Sequence, residues 1–231
     1  MRLTARDRRV LIKLAAARWL TTTQIASLCF PGVTVEMARR RLRLLAEEQY
    51  TVSRQATQMS EALHTLGTKG KEWLVTRGWQ RPIRLERVPP THLEHFLGIN
   101  DTRVAVERSA ERDGIELGFF FASWELQQLG WTLPLIPDAA FAVEQGATNA
   151  LVAVEYDRGE ESADYVGRTK FGPYAAGLPG FPFSHVLVAV DTDDRLKQLG
   201  DHAARWRGSA AFLLVLLDEL KNAWTVAQCL S

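Results

Sequence analysis

Between Ile136 and Gly159 the chain reads IPDAAFAVEQGATNALVAVEYDRG, two short apolar runs joined by a turn. Ile136 to Val143 and Asn149 to Tyr156 have strand length and composition, and Glu144 to Thr148 lies between them. Gly146 supplies the positive φ that such a connection often needs. Carboxylates mark the strand ends: Asp138 near the start of the first, Glu155 and Asp157 at the end of the second. Antiparallel pairing predicts that Asp138 and Glu155 come together. Two carboxylates on neighbouring strand ends repel one another unless a cation or a catalytic task holds them there. A chain organised around this stretch needs a sheet, and a positive charge to balance it.

The 231 residues suit one large domain or two small ones. No apolar run approaches ~20 residues, so no transmembrane helix is expected. The N-terminal MRLTARDRRVLIKLAAARWL lacks the apolar block and cleavage site of a signal peptide, and a cytoplasmic protein is expected. Cys29 and Cys229 both stand in apolar company and are expected as buried free thiols in a reducing compartment. The net charge of +1 conceals an asymmetry: residues 1–90 hold 17 Lys/Arg against 7 Asp/Glu, and residues 91–231 hold 11 against 20. A part of net +10 joined to one of net −9 suggests a polyanion-binding module carrying a second domain.

The basic part has helical periodicity. Thr4 caps a first helix with Asp7 in its first turn, and Val10, Leu11, Leu14 and Ala15 form an apolar stripe that ends near Trp19. Leu20-Thr21-Thr22 is a short break. A second helix buries Ile25, Ala26, Leu28 and Cys29 and stops at Phe30-Pro31-Gly32. Thr34 caps a third, Val35 to about Glu48. At ~100° per residue, Val35, Ala38, Leu42 and Leu45 share one face, with Glu36, Arg39, Arg40 and Arg43 opposite and Arg41 at the edge. A helix, a tight break and a helix with outward arginines form the helix-turn-helix pattern, and such arginines suit phosphates and guanine edges. Tyr50 to Arg54 and Ala62 to Leu66 read as two short strands, and the polar Gln55–Glu61 segment between them as a wing. Another helix starts at Thr68 and ends at Arg77-Gly78. Arg54, Lys69 and Lys71 are placed to touch backbone phosphate. Residues 1–80 are therefore expected to form a winged helix-turn-helix domain. A basic linker closed by Pro89-Pro90 follows over 81–90.

Residues 91–231 read as helix, three strands, helix, strand, helix, strand. A helix runs from His92 to about Arg112 with Leu93, Phe96, Leu97, Val104 and Ala105 inward, and its His92 and His95 are expected as surface histidines. Glu116 to Phe121 precedes the hairpin. Tyr165 to Tyr174 is a helix carrying Arg168 and Lys170, and Asp193 to Arg207 another. Ser184 to Asp191 and Ala211 to Leu217 are strands whose VLVAV and FLLVLL runs suggest a sheet covered on both faces. The class is α+β followed by α/β, with a mixed sheet.

That order, with Pro137-Asp138 on one strand and Glu155-x-Asp157 on the next, resembles the restriction-endonuclease-like nuclease fold. The resemblance implies Mg²⁺ held by Asp138 and Glu155, with Asp157 as a further acidic contact. The fold's usual lysine is replaced by Asp157, and Lys170 is the first candidate to restore the cation, ahead of Arg158 and Arg168. The whole chain also resembles the replication-relaxation family of plasmid and mobile-element proteins. The carriers are Leu3-Thr4-x-Arg6-Asp7, Leu20-Thr21-Thr22, Phe30-Pro31-Gly32, Leu66-x-Thr68-x-Gly70, Pro137-Asp138-Ala139 and Glu155-x-Asp157-Arg158-Gly159, with Lys170 and Tyr174 downstream. It implies DNA binding in replication, relaxation or mobilisation.

Three functions follow. The first is binding of double-stranded DNA by a mobile-element protein, with a second copy of the chain and replication or mobilisation proteins as further partners. The second is a Mg²⁺-dependent nuclease using Asp138, Glu155, Asp157 and Lys170. Carrying a carboxylate at the lysine position leans the reading away from an enzyme. The third is a transcriptional repressor with an effector pocket lined by Trp124, Trp131 and Phe141, unless these aromatics fill a core.

Overall fold

A computed structural model describes residues 1–55, 60–177, 180–206 and 208–230. The chain divides into two compact units, Met1–Asn100 and Asp101–Ser231.

The first unit contains α1 (Ala5–Ala17), β1 (Trp19–Thr21), α2 (Thr22–Cys29), α3 (Val35–Glu47), β2 (Thr51–Arg54), β3 (Leu63–Leu66) and α4 (Thr68–Val75). Thr4, Thr21 and Thr34 cap α1, α2 and α3, each side chain accepting from a backbone N–H in the first turn. Of the expected break at 20–22, Leu20 and Thr21 belong to a strand and Thr22 opens α2. Arg18, at φ 66, turns the chain out of α1, and Trp19–Thr21 then runs antiparallel to β3 in a sheet of order β1-β3-β2. The reason is burial: Trp19 and Leu20 are both withdrawn from solvent, and a ladder satisfies their backbone there. The apolar stripes behave as expected, with Leu11, Leu14, Ile25, Leu28, Leu42 and Leu45 buried, while Val35 stays partly exposed at the start of α3. Of the wing expected at 55–61, residues 56–59 lie outside the described residues. Segment 81–90, expected as a linker, is tied to this unit through Glu86, which accepts hydrogen bonds from Arg18 Nε (2.6 Å) and Trp19 Nε1 (2.7 Å).

A long helix, α5 (Leu93–Asp113), spans the division between the units. The second unit continues with β4 (Glu116–Ala122), α6 (Ser123–Gln128), β5 (Ala139–Gln145), β6 (Thr148–Asp157), α7 (Ala163–Val166), a π-helical turn (Gly167–Phe171) and α8 (Gly172–Ala176). Then come β7 (His185–Val190), α9 (Asp193–Ala203), β8 (Ala211–Leu216), α10 (Leu217–Asn222) and a 3₁₀ turn (Val226–Leu230). The five-stranded sheet has the order β4-β5-β6-β7-β8, antiparallel across its first three strands and parallel across its last three.

The hairpin is tighter than expected. Gln145 pairs with Thr148, so Gly146-Ala147 is a two-residue turn, with Gly146 at φ 61. β5 also begins later than expected, because Pro137 has no N–H to give a ladder and Asp138 spends its groups elsewhere. The Asp138 carbonyl accepts from Ser123 N (2.8 Å), and its Oδ2 accepts from Tyr156 N (2.9 Å). α9 ends at Ala203; its expected end at residue 207 lies outside the described residues. β7 is a fully covered central strand, but the FLLVLL run lies on an edge: among the described residues β8 has one neighbour, β7, and several of its side chains are half-exposed.

Strand alternation sorts the two faces. Ala140, Ala153, Val186 and Val188 face a core that includes Val166, Phe171 and Tyr174 of the segment 163–176, and Leu199 and Ala203 of α9. Glu155 and Asp157 share the Ala153 face of β6, so they point under these helices. The opposite face carries Phe141, stacked 6.0 Å from Phe120. Trp131 packs edge-on to Phe119, on the other side of β4. Phe141 and Trp131 therefore lie on different faces of the sheet, and the three aromatics of the repressor reading do not surround one space. Cys29 and Cys229 are buried and form no disulfide among the described residues, and burial pushes the Cys229 thiol up to about 12. No helix is long and apolar enough to cross a membrane among the described residues.

Candidate functional site

Two clusters were expected from the sequence, one in each unit. The first is α3. Its buried Ala38, Leu42 and Leu45 fix the helix against the core, and this sets which side chains face out. Arg39, Arg40 and Arg43 are all well exposed, the last two with 73 % of the side chain accessible. Each has a carboxylate within one turn: Glu36 pairs with Arg39 and, at 3.8 Å, with Arg40, while Glu47 lies 3.9 Å from Arg43. Pairs this exposed are worth about 0–1 kcal/mol and are screened by salt, so they hold the three guanidinium groups only weakly.

Arg41 differs. Its Nε donates to Asp7 Oδ1 at 2.7 Å and its Nη2 to Oδ2, so the guanidinium clamps α3 to α1. Burial alone would raise the Asp7 carboxyl, but hydrogen bonds from Arg41 and from Thr4 hold it below the usual carboxylate value. Arg41 is thus engaged in packing rather than presented with its neighbours. Arg54 is exposed at the end of β2, where its Nε donates to the Arg87 carbonyl at 3.3 Å. Lys69, 4.0 Å from Glu48, and Lys71 are exposed on α4.

Between α3 and the β2–β3 pair lies a groove of about 710 Å³ whose lining includes Arg39, Arg43, Ser53 and His64. His64 had drawn no notice in the sequence. It is buried with Thr22 Oγ1 3.0 Å from Nε2 and Ser53 Oγ 2.8 Å from Nδ1, and burial pulls its imidazole down to about 4. It joins α2, β2 and β3 as a neutral ring.

The second cluster is the acidic pair. Ladder register sets Ala139 opposite Val154, which brings Asp138 opposite Glu155 as expected. Glu155 is buried. Burial, and then the Asp138 charge, push its carboxyl up to about 7, against the opposing effect of Lys170. Lys170 does point back at the strand ends: its Nζ donates to Glu155 Oε2 at 2.7 Å. Tyr174, one turn further on, donates its hydroxyl to Oε1 at 2.7 Å. A spacing of four puts the two donors on one helical face above the carboxylate. Burial would lower the Lys170 ammonium, but Glu155 and Asp138 together raise it above the ordinary lysine value. Tyr174 is likewise pushed up, by burial and by Glu155.

Asp157 is not part of that group. Arg195, from α9, donates to it from Nε (2.6 Å) and Nη2 (2.9 Å), and Gly159 N donates to Oδ1 at 2.8 Å. Both side chains of this pair are more than nine-tenths buried. The expected balancing residues Arg158 and Arg168 have other partners: Glu160 (3.0 Å) and Asp191 (4.0 Å) for Arg158, Asp164 (3.0 Å) for Arg168.

Mg²⁺ wants an octahedron of oxygens, typically one or two carboxylates, with water and substrate phosphate completing it. The residues present do not fit it as they stand. Both Glu155 oxygens face donors at 2.7 Å, one of them a cation, and Asp157 is locked onto Arg195. Among the described residues no group of three or more His, Cys, Asp or Glu side chains is arranged to hold a metal ion, His92 and His95 included.

Comparison with known proteins bears on both clusters. A family model described as replication-relaxation matches residues 11–176, which takes in α3, the hairpin, Lys170 and Tyr174. No curated protein matches the chain. Among solved structures, the crystal structure of Bacillus subtilis PadR in complex with operator DNA is similar at a TM-score of 0.26 and 16 % identity, over 46 % of this chain and 68 % of that one. A likeness that low carries no argument about this fold.

Proposed function

The chain belongs to the replication-relaxation family, and from that premise we propose that it is a double-stranded DNA-binding protein of a plasmid, phage or other mobile element. The observation that carries this is the outer face of α3, where Arg39, Arg40 and Arg43 stand exposed opposite the buried Ala38, Leu42 and Leu45. The order α1, β1, α2, α3, β2, β3 with a three-stranded antiparallel sheet supports a winged-helix reading, in which the helix corresponding to α3 enters the major groove. Here the arginines reach phosphates and guanine edges, and Arg54, Lys69 and Lys71 reach the backbone nearby. Binding exchanges Glu36 and Glu47 for phosphate, with release of counterions. A protein of this kind that dimerises reads two half-sites about one helical turn apart. Titration of labelled duplex DNA with the wild type and with an Arg39→Ala/Arg40→Ala/Arg43→Ala variant tests the reading, which fails if the two bind equally.

A second reading, a Mg²⁺-dependent nuclease on a restriction-endonuclease-like scaffold, is favoured by one observation. Lys170 reaches the Asp138–Glu155 pair from the following helix and so supplies the cation missing at position 157. The strand order and the Pro137-Asp138 and Glu155-x-Asp157 pattern support that scaffold. Against the enzyme stands the closure of the same pair by Lys170 and Tyr174. On balance the acidic centre acts as a charge-balanced strut that seats the helical segment 163–176 on the sheet.

A further inference from the structure

The second unit belongs to the acidic part of the chain, yet one surface cavity in it is lined mainly by positive and aromatic groups. It has a volume of about 260 Å³ and is bounded by Asp164, Gly167, Arg168, His202, Arg205 and Trp206. Two features of the backbone make it. The chain takes a π-helical turn over Gly167–Phe171, a local widening that recurs at functional sites. And α9 runs close against that turn at a glycine: a Cβ on Gly167 would stand 3.1 Å from His202 Nδ1 and 3.5 Å from Trp206 Nε1. Gly172 plays the same part for the indole ring, whose edge would lie 3.2 Å from a Cβ there. Trp206 thus rests on two bare stretches of backbone while 37 % of it remains exposed. Arg205 is exposed beside it, and Arg168 reaches the same space, with Asp164 3.0 Å from its guanidinium.

We propose that this cavity takes one nucleotide of single-stranded DNA. Trp206 stacks on the base, and Arg205, Arg168 and His202 hold the adjoining phosphate. At about 260 Å³ the cavity has room for one small ligand rather than for a duplex. An indole beside guanidinium groups is the combination that holds single strands without reading their sequence. The π-turn that opens the cavity is also the element that carries Lys170 to Glu155, so the acidic centre fixes the frame on which Arg168 is displayed. The site is independent of the α3 face, and its failure would leave duplex binding by α3 untouched.

The test uses the full chain carrying Arg39→Ala, Arg40→Ala and Arg43→Ala, so that α3 contributes little. Binding of a labelled oligothymidine single strand is measured by anisotropy, with and without Arg205→Glu and, separately, Trp206→Leu. The expected result is binding by the parent that weakens about tenfold or more in each variant, with the melting temperature of the exposed Arg205→Glu change unaltered. Thymidine monophosphate is expected to compete well and orthophosphate poorly. In an otherwise wild-type chain Arg205→Glu leaves duplex affinity unchanged. The proposal is overturned if the parent fails to bind the single strand, if Arg205→Glu binds it as well as the parent, or if orthophosphate competes as strongly as the nucleotide.

Discussion

Lys170 Nζ donates to Glu155 Oε2 at 2.7 Å from the helical segment that covers the sheet, and the Asp138 charge acts on the same carboxylate. The cation therefore balances a pair that would otherwise repel. Its removal has a pH-dependent consequence. Burial and the Asp138 charge push the Glu155 carboxyl up from an ordinary 4.5 to about 7 in the fold. A raised carboxyl contributes most to stability at low pH, and that contribution is lost as pH rises from about 4.5 through 7. The raised Lys170 ammonium stays charged throughout that window. Lys170→Met is expected to cost about 1–3 kcal/mol at pH 8 and clearly less at pH 5, where Glu155 is protonated. Melting temperatures at the two pH values check this; an equal loss at both would contradict it.

Arg195 and Asp157 form a buried, two-point ion pair between α9 and the end of β6. Asp157→Asn leaves a buried guanidinium without its counter-charge and is expected to destabilise the protein by about 3 kcal/mol. It is expected to leave duplex affinity unchanged when measured below the melting transition. Denaturant unfolding alongside DNA titration separates the two. A variant of normal stability would show that Asp157 serves a task other than packing.

His64 makes the opposite pH demand in the first unit. Burial holds its imidazole near 4 against an ordinary 6.5, so it is neutral in the fold. A lowered histidine contributes stability above about 6.5 that is lost as pH falls through 4. The His64 ring protons are expected to show no titration step in NMR spectra between pH 5 and 8. A midpoint near 6.5 would place the ring in solvent.

With Glu155 closed by two donors, Mg²⁺ or Mn²⁺ is expected neither to raise the melting temperature nor to support cleavage of supercoiled plasmid. Nicking that depends on the metal and disappears in Asp138→Ala would replace this reading with the nuclease.

Much of the first unit was legible because α1, α2 and α3 are amphipathic and begin at threonine caps. Local patterning did not show β1, whose three residues resemble a loop until β3 arrives to pair with them. It also could not separate Arg41 from its neighbours: periodicity put it at the edge of the face, but its partner Asp7 lies 34 positions away. The hairpin and the approach of Asp138 to Glu155 were readable from period-2 alternation and one glycine. Lys170 was the first candidate for the cation, whereas Tyr174 as a second donor to Glu155 carried no signal of its own in the sequence. Arg195 carried no such signal, since the pairing depends on where the parallel crossover places α9. β8 read as a central strand because an apolar run does not reveal whether a second neighbour exists.

The central claim is that the arginine face of α3 binds duplex DNA by neutralising phosphates. Its most direct test is the slope of log Kobs against log[salt] for duplex binding, in the wild type and in the Arg39→Ala/Arg40→Ala/Arg43→Ala variant. A steep negative slope is expected for the wild type. In the variant the magnitude of the slope is expected to fall by up to about 0.9 for each arginine that contacts phosphate, with weaker binding throughout. A flat plot for the wild type, or one identical in the variant, would contradict it.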